Sequence, residues 1–472
     1  MRSEIEKATA SEIAAAVRSG DICAVEVTKH FLDRIDAKNG ELNAYTLVTR
    51  ERALSESQAV DDIVASGRDP GPLAGVPYSV KNLFDLKGEI TVAGSKINRE
   101  NPPASTDATA VERLCKSGAI CLGALNMGEY AYDFITNNPH DGPTRNPHDT
   151  TRSAGGSSGG SGSAIAGGLA SITLGTDTNG SIRVPSSFCG IWGLRPTYGA
   201  LSRAGSFAFV DSLDTIGPFA RSPLDLALSY DAISGPDRRD AACSKRESDL
   251  VAASIETSIE PLRIAKLGGY FATGGEAFIH EAVDTVCRDL GVDNELELPQ
   301  PELARTAAYL ITAAESAQRH LDNLKKCPQD FDPFIRDRLF SGALIPAAWP
   351  LQAQRFRAWW KEQLAEIFRH VDVLIAPATP LRAPAFEQET FPFADEEIPL
   401  RANIGLFAQP VSLVGLPVVA APVHLPGELP CAVQLIGPPH SEAKLLQVAN
   451  ALEKSGICSA PLANQQQLTA DV

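Results

Sequence analysis

The chain is predicted to be an α/β protein built around a large mixed sheet. Short apolar runs read as buried strands, and stretches with helical spacing alternate with them. A third observation is the return of strand signals near the C-terminus after a long helical interval. Hydrophobic residues make up 44% and charged residues 21% of the 472 positions, a balance able to fill one large core. The reading is therefore a single domain over 1–472, in four stretches. Helices occupy 1–70, the chemistry-bearing core 71–260, a helical cover over the pocket 261–370, and closing strands with a helix 371–460.

Each element has its own signal. Ile13, Val17, Val25, Val27, Phe31, Leu32 and Ile35 recur at helical spacing with a break near Gly20, which predicts two helices. Pro70-Gly71-Pro72 marks a turn, and 76–81 then reads as a short buried strand. Asp107 is placed to cap a helix through Cys115, Gly118 ends it, and 119–124 runs on as a strand. The small residues from Gly159 to Ala166 predict a helix able to approach a sheet closely, followed by a strand over 170–174. Between 260 and 370, helical stretches at 302–323 and 350–370 dominate, separated by Pro328, Pro333 and Pro346. Strands are expected again at 371–377, and as a closing pair at 418–423 and 432–437.

Charge narrows the function. Against 42 Lys and Arg stand 58 Asp and Glu, a formal net charge of −16. Such a surface repels phosphate backbones and anionic lipid, so neither nucleic acid nor a membrane is an expected partner. The nine cysteines never form C-x-x-C, which points to reduced thiols rather than disulfides or a zinc site. No leader-like apolar stretch opens the chain and no apolar run approaches ~20 residues, so a cytoplasmic location is expected.

The chemistry concentrates between Ser153 and Pro185, where two Gly/Ser clusters flank an apolar run. A Gly/Ser run by itself reads as a linker, but both ends here are apolar structural signals. A phosphate cradle is a second reading, weakened by the lack of a Gly-Lys-Ser/Thr ending. The third is nucleophilic catalysis. Asn179-Gly180 ahead of Ser181 permits a turn with positive φ that aims backbone N–H groups at one point, as an oxyanion hole requires. Serine needs a base. Among eight histidines, His140 and His148 sit in turn-rich sequence and read as solvated. Lys81, on an apolar strand, can be desolvated into a neutral amine, although a strand-end lysine is otherwise a solvated charge.

Order and spacing join these fragments. Lys81, Ser157 and Ser181 are offset by 76 and then 24 residues, within K…G-G-S-S-G-G…T-D-x-x-G-S-I-R-x-P. With G-V-P-Y-S-V-K at 75–81, A-L-N-M at 124–127, F-C-G-I-W-G-L-R-P-T at 188–197, D-S-L-D-T-I-G-P-F-A-R-S at 211–222, D-V-L-I-A-P-A-T-P at 372–380 and A-V-Q-L-I-G-P at 432–438, nearly the whole chain resembles the amidase signature family.

The resemblance implies a large twisted mixed sheet covered on both faces by helices, and amide hydrolysis without metal or cofactor. Ser181 would be the nucleophile, Ser157 a bridging serine on a cis peptide, and Lys81 the general base. The N–H groups of Thr178, Asn179, Gly180 and Ser181 would form the oxyanion hole, with Ser158, Asp177 and Arg183 as supports. Asn82 stands where relatives usually carry Asp, and Asn179 where many carry Gly.

Stretches such as V-K-N-L-F-D-L-K-G and N-N-P-H-D-G-P-T-R-N-P-H-D resemble the family branch that acts on carboxylated biurets in s-triazine breakdown. That implies a small anionic amide as substrate, self-association, and a very small companion subunit in a heterotetramer. The substrate's carboxylate needs a cation, for which Arg145 and Arg319 are the candidates. Met127 would assist through its backbone carbonyl. The glutaminase subunit of tRNA-dependent amidotransferases shares the scaffold and is the alternative; it often has Gln where Val184 follows Arg183. A scaffold subunit without turnover would have no need of Lys81, Ser157 and Ser181 together.

Overall fold

The computed structural model describes residues 4–247 and 249–463. Eleven strands form one sheet: β1 (Tyr45–Val48), β2 (Pro77–Lys81), β3 (Ile120–Leu125), β4 (Ile172–Asp177), β5 (Trp192–Arg195), β6 (Thr215–Ala220), β7 (Ile264–Leu267), β8 (Glu295–Leu296), β9 (Val373–Pro377), β10 (Val418–Val423) and β11 (Cys431–Ile436). Their spatial order is β1-β3-β2-β4-β6-β5-β10-β11-β9-β7-β8. β3, β2 and β4 run parallel, as do β9, β7 and β8, whereas the middle of the sheet is antiparallel. β2, β4, β9, β10 and β11 are buried at every position, which is why they read as continuous apolar runs rather than alternating ones.

The N-terminal helices are α1 (Ala10–Ser19) and α2 (Ala24–Leu42), parted at Gly20 as the spacing predicts. A capping box closes the start of α1: Thr9 accepts from the Glu12 amide and Glu12 from the Thr9 amide. α3 (Gly159–Ala166) is entirely buried. Its small residues are required by contact, since a Cβ on Gly160 would lie 2.6 Å from the Ala44 carbonyl oxygen and from backbone atoms of Asn126. β4 leads through a tight turn into α4 (Arg183–Cys189).

Three expectations change. Asp107 does not cap the following helix, Thr109–Lys116, whose N-cap is Ala108 without a side-chain bond. Its carboxylate instead takes both ends of the Arg52 guanidinium, at 2.8 and 2.9 Å, and the Lys87 amide. The stretch 261–370 is not wholly helical. β7 and β8 extend the main sheet beside β9, and only then come α5 (Pro301–Lys326), α6 (Pro333–Ala343) and α7 (Ala348–Ile367). The pair β10–β11 is antiparallel as expected but lies inside the sheet, between β5 and β9, rather than closing an edge.

All nine cysteines are free thiols. No described helix is long and apolar enough to cross a membrane.

Candidate active site

The parallel pairing of β2 with β4 puts the candidate chemistry together. Tyr78, Ser79 and Val80 lie opposite Ile172, Thr173 and Leu174, so Lys81 ends its strand beside the end of β4. Ligands of such sheets collect beyond the carboxyl ends of the strands. The Lys81 amine is wholly buried and donates to Ser157 Oγ at 2.7 Å and to Thr176 Oγ1 at 2.8 Å. Burial brings its pKa down to about 7, against the opposing pull of Asp214 and Asp177. An amine so tuned is neutral in a large fraction of molecules near neutral pH and is able to accept a proton.

The Gly156–Ser157 peptide is cis. Ser158, next in line, holds the backbone of β4: its hydroxyl donates to the Thr176 carbonyl at 3.2 Å and accepts from the Thr176 amide. Ser181 faces a narrow recess lined also by Tyr132, Asp133, Phe134, Thr178 and Asn179. Tyr309 and Thr312 from α5, Arg338 from α6 and Gln409 also line it. Among the described residues the Ser181 hydroxyl has no hydrogen-bond partner, and the Ser157–Ser181 link of the relay is not closed.

The turn ahead of Ser181 is built around Asp177. Its carboxylate accepts from the amides of Gly180 and Ile182, at 2.8 and 3.1 Å, and pairs with Arg183 at 2.9 Å and Arg195 at 3.2 Å. These three charged groups are fully buried. Despite the cost of burial, the two guanidiniums and the amides hold the Asp177 carboxyl down at about 2. Arg183 carries the frame further, donating to the Ala408 carbonyl, Gln434 Oε1 and Ser412 Oγ.

The positive φ predicted in this turn falls on Gly180, at +138°, and Asn179 is outside the left-handed region. The Gly180 amide is committed to Asp177, which corrects the expectation of four oxyanion donors. Among the described residues the amides of Thr178, Asn179 and Ser181 have no protein acceptor. Asn179 donates Nδ2 to Thr312 Oγ1 at 2.8 Å, leaving its Oδ1 buried without a partner.

The remaining candidates separate. Met127 is buried beside this site, but its carbonyl already accepts from Asn138 Nδ2 at 2.9 Å. Arg145 donates to the Thr150 carbonyl and lies over the Phe386 ring, and Arg319 is an exposed residue paired with Asp211 at 2.6 Å. Neither lines the recess. His148 is partly buried rather than solvated: its ring meets the Cys189 carbonyl at 3.1 Å, and burial brings its pKa down to about 4. His140 meets Glu129 at 3.1 Å.

Sequence reasoning missed Thr176, Asp214 and Arg338. Thr176 sits one place before the T-D motif's aspartate and was legible as a strand-end hydroxyl opposite Lys81. Asp214 accepts from the Thr178 hydroxyl at 2.6 Å and from the amides of Phe209 and Val210. Arg338 lies in a charged helical stretch that gives no local signal of a pocket.

The family model for amidases matches residues 26–446. This chain belongs to the amidase family. Within that family it is 49% identical over 449 residues to AtzE, the 1-carboxybiuret hydrolase subunit of Pseudomonas sp. (strain ADP), covering 94% of this chain and 98% of that one. It is 38% identical over 480 residues to a glutamyl-tRNA(Gln) amidotransferase subunit of Carboxydothermus hydrogenoformans, covering 96% and 98%. A solved structure, reported as a vestigial protein complex revealing the evolutionary origins of an s-triazine catabolic enzyme, superposes with a TM-score of 0.95. It is 48% identical and covers 96% of this chain and 100% of that chain.

Proposed function

We propose that this amidase hydrolyses 1-carboxybiuret to urea-1,3-dicarboxylate and ammonia. The observation that carries the chemistry is a fully buried Lys81 amine, held near neutrality in charge and 2.7 Å from Ser157 Oγ, behind a serine that opens to the recess. Likeness to AtzE over nearly the full length of both chains supports the substrate.

In this reading Ser181 attacks the terminal carbamoyl carbon as its proton passes to Ser157 and the Ser157 proton to Lys81. Amides of Asn179 and Ser181, with that of Thr178, receive the developing oxyanion; each such donor is typically worth ~3–4 kcal/mol. Collapse breaks the C–N bond, and the proton returns through Ser157 to the leaving nitrogen, which departs as ammonia. Water then attacks the acyl-Ser181 ester by the same relay in reverse. The residues named supply base, nucleophile and oxyanion donors, and no step calls on a metal or cofactor.

By the same likeness the chain acts in a heterotetramer with a very small companion subunit, which co-purification from the native host would reveal. The glutaminase reading is the second one, favoured by the relationship to the amidotransferase subunit. Ammonia release from 1-carboxybiuret, allophanate and glutamine decides between them. Turnover of 1-carboxybiuret that disappears in Ser181→Ala supports the proposal, turnover of glutamine alone selects the second reading, and release that survives Ser181→Ala removes the catalytic assignment.

A further inference from the structure

Two buried side-chain polar atoms on the recess wall have no hydrogen-bond partner among the described residues, Tyr132 Oη and Asn179 Oδ1. The Tyr132 hydroxyl can turn its proton, and Ser316 and Arg338 lie close enough to act on it. Asn179 Oδ1 has no such latitude, because a carbonyl oxygen only accepts. Other polar groups of the wall are engaged: the Thr178 hydroxyl donates to Asp214, Asp133 pairs with Arg401, and Gln409 Oε1 accepts from Arg305. A buried acceptor without a donor is uncommon in a folded protein, and it marks a place where a further donor fits.

The side chain of Asn179 is held rather than free to turn. Its Nδ2 donates to Thr312 Oγ1 at 2.8 Å, and Thr312 is buried on α5, so the turn that carries Ser181 is tied to that helix. Both side chains line the recess. Backbone conformation does not call for asparagine here, since Asn179 lies outside the left-handed region in which that residue can replace glycine. Its own backbone N–H belongs to the set that would meet the oxyanion, and a side-chain oxygen on the same residue reaches only the near surroundings of the reacting carbon. Besides its oxygen and the departing nitrogen, that carbon has one further substituent.

In a urea or a biuret that substituent is an N–H; in glutamine it is a CH2. Resting on the amide-hydrolase reading above, we propose that Asn179 Oδ1 accepts this N–H, which makes Asn179 a specificity-determining residue and the site one for carbamoyl groups carried on nitrogen. A methylene in the same place leaves the oxygen buried and unpaired. Discrimination then comes from the penalty on the wrong ligand as much as from the bond to the right one.

Isosteric ligands test this apart from turnover. Hydantoate and succinamate carry the same carbamoyl and carboxylate ends and differ only in N–H against CH2 beside the carbamoyl carbon. In isothermal titration of the full chain carrying Ser181→Ala, hydantoate is expected to bind at least ~10-fold more tightly than succinamate. Adding Asn179→Ala is expected to bring the two within ~3-fold of each other, through loss of hydantoate affinity. A preference that survives Asn179→Ala, equal weakening of both ligands, or no preference in the reference protein (the result if the amide nitrogen of Asn179 faced the ligand) each overturns the proposal. A circular-dichroism melt shows whether Asn179→Ala is folded; Asn179→Gly, which removes the same oxygen, carries the comparison if it is not. Ammonia release from 1-carboxybiuret tests the reaction independently. A protein that hydrolyses glutamine alone loses the substrate assignment, while these affinities still decide the role of Asn179.

Discussion

Lys81 and Thr176 stand at the ends of adjacent parallel strands, and the amine of one donates to the hydroxyl of the other at 2.8 Å. With Ser157, in the loop ahead of α3, at 2.7 Å, the amine has two hydroxyl acceptors. An amine in an apolar site has no water to share its protons with, so these hydroxyls fix where it points. Strand register thus sets Lys81 against Thr176.

The pH profile should follow Lys81. With its pKa near 7 and the neutral amine as base, kcat/KM is expected to plateau above pH 8 and to fall about tenfold per unit well below pH 7. Stability carries the same signature. The unfolded chain keeps this proton up to about 10.5 and the folded chain loses it near 7, so between these values the unfolded state holds more protons. Folding stability from this group therefore rises with pH across that window. Chemical denaturation at pH 7 and 9 should show Lys81→Met lacking the rise; an identical slope would contradict a desolvated amine.

Ser157→Ala leaves the amine bonded to Thr176 alone and cuts the path to Ser181. Positioned proton transfer typically contributes 10²–10⁴-fold, and ammonia release is expected to fall by that order with substrate binding retained. Loss of binding with an unchanged rate constant would place Ser157 in recognition instead.

Breaking the frame of the turn should cost stability before it costs anything else. Asp177→Asn leaves Arg183 and Arg195 buried with their shared anion gone, a situation that typically costs ~3–5 kcal/mol. Because the folded carboxyl is held near 2, below the ordinary 3.8, the stability it supplies is complete above pH 4 and is lost as pH falls toward 2. Urea midpoints between pH 2 and 5 should drop for the unaltered protein, and the Asp177→Asn variant should lack this part of the drop.

Gly180→Ala tests the turn itself. The backbone there has φ +138°, and an added Cβ would lie 2.8 Å from Ala408 Cβ. Strain of this kind costs on the order of 1–3 kcal/mol, and displacement of Ser181 should lower kcat more than it raises KM. A variant with normal melting temperature and normal kcat would show that the turn tolerates a side chain.

Much of the site was legible because its parts have local causes. A Gly/Ser run between apolar elements, a positive-φ glycine before serine, and a lysine ending a buried strand each carry a short-range signature. The aspartate at 107 shows where such signatures fail: its position invites an N-cap, but Arg52 from a distant helix offers a charge-assisted pair that a single amide cannot match. Arg145 and Arg319 fail for a related reason. Sequence shows that a cation exists, whereas its direction depends on which partner reaches it first, Thr150 for one and Asp211 for the other.

The chain's order of residues determined the family, the α/β class and the strands β2 and β4, and singled out Lys81, Ser157 and Ser181 as candidates, because these follow from periodicity and from motifs in a fixed order along the chain. Only the tertiary structure decided that β10 and β11 sit mid-sheet, that Gly180's amide is spent on Asp177, and that Arg338 lines the recess where Arg145 and Arg319 do not. Those outcomes turn on contacts between residues more than a hundred positions apart, or on competition for one hydrogen-bond acceptor, and neither leaves a mark on local spacing.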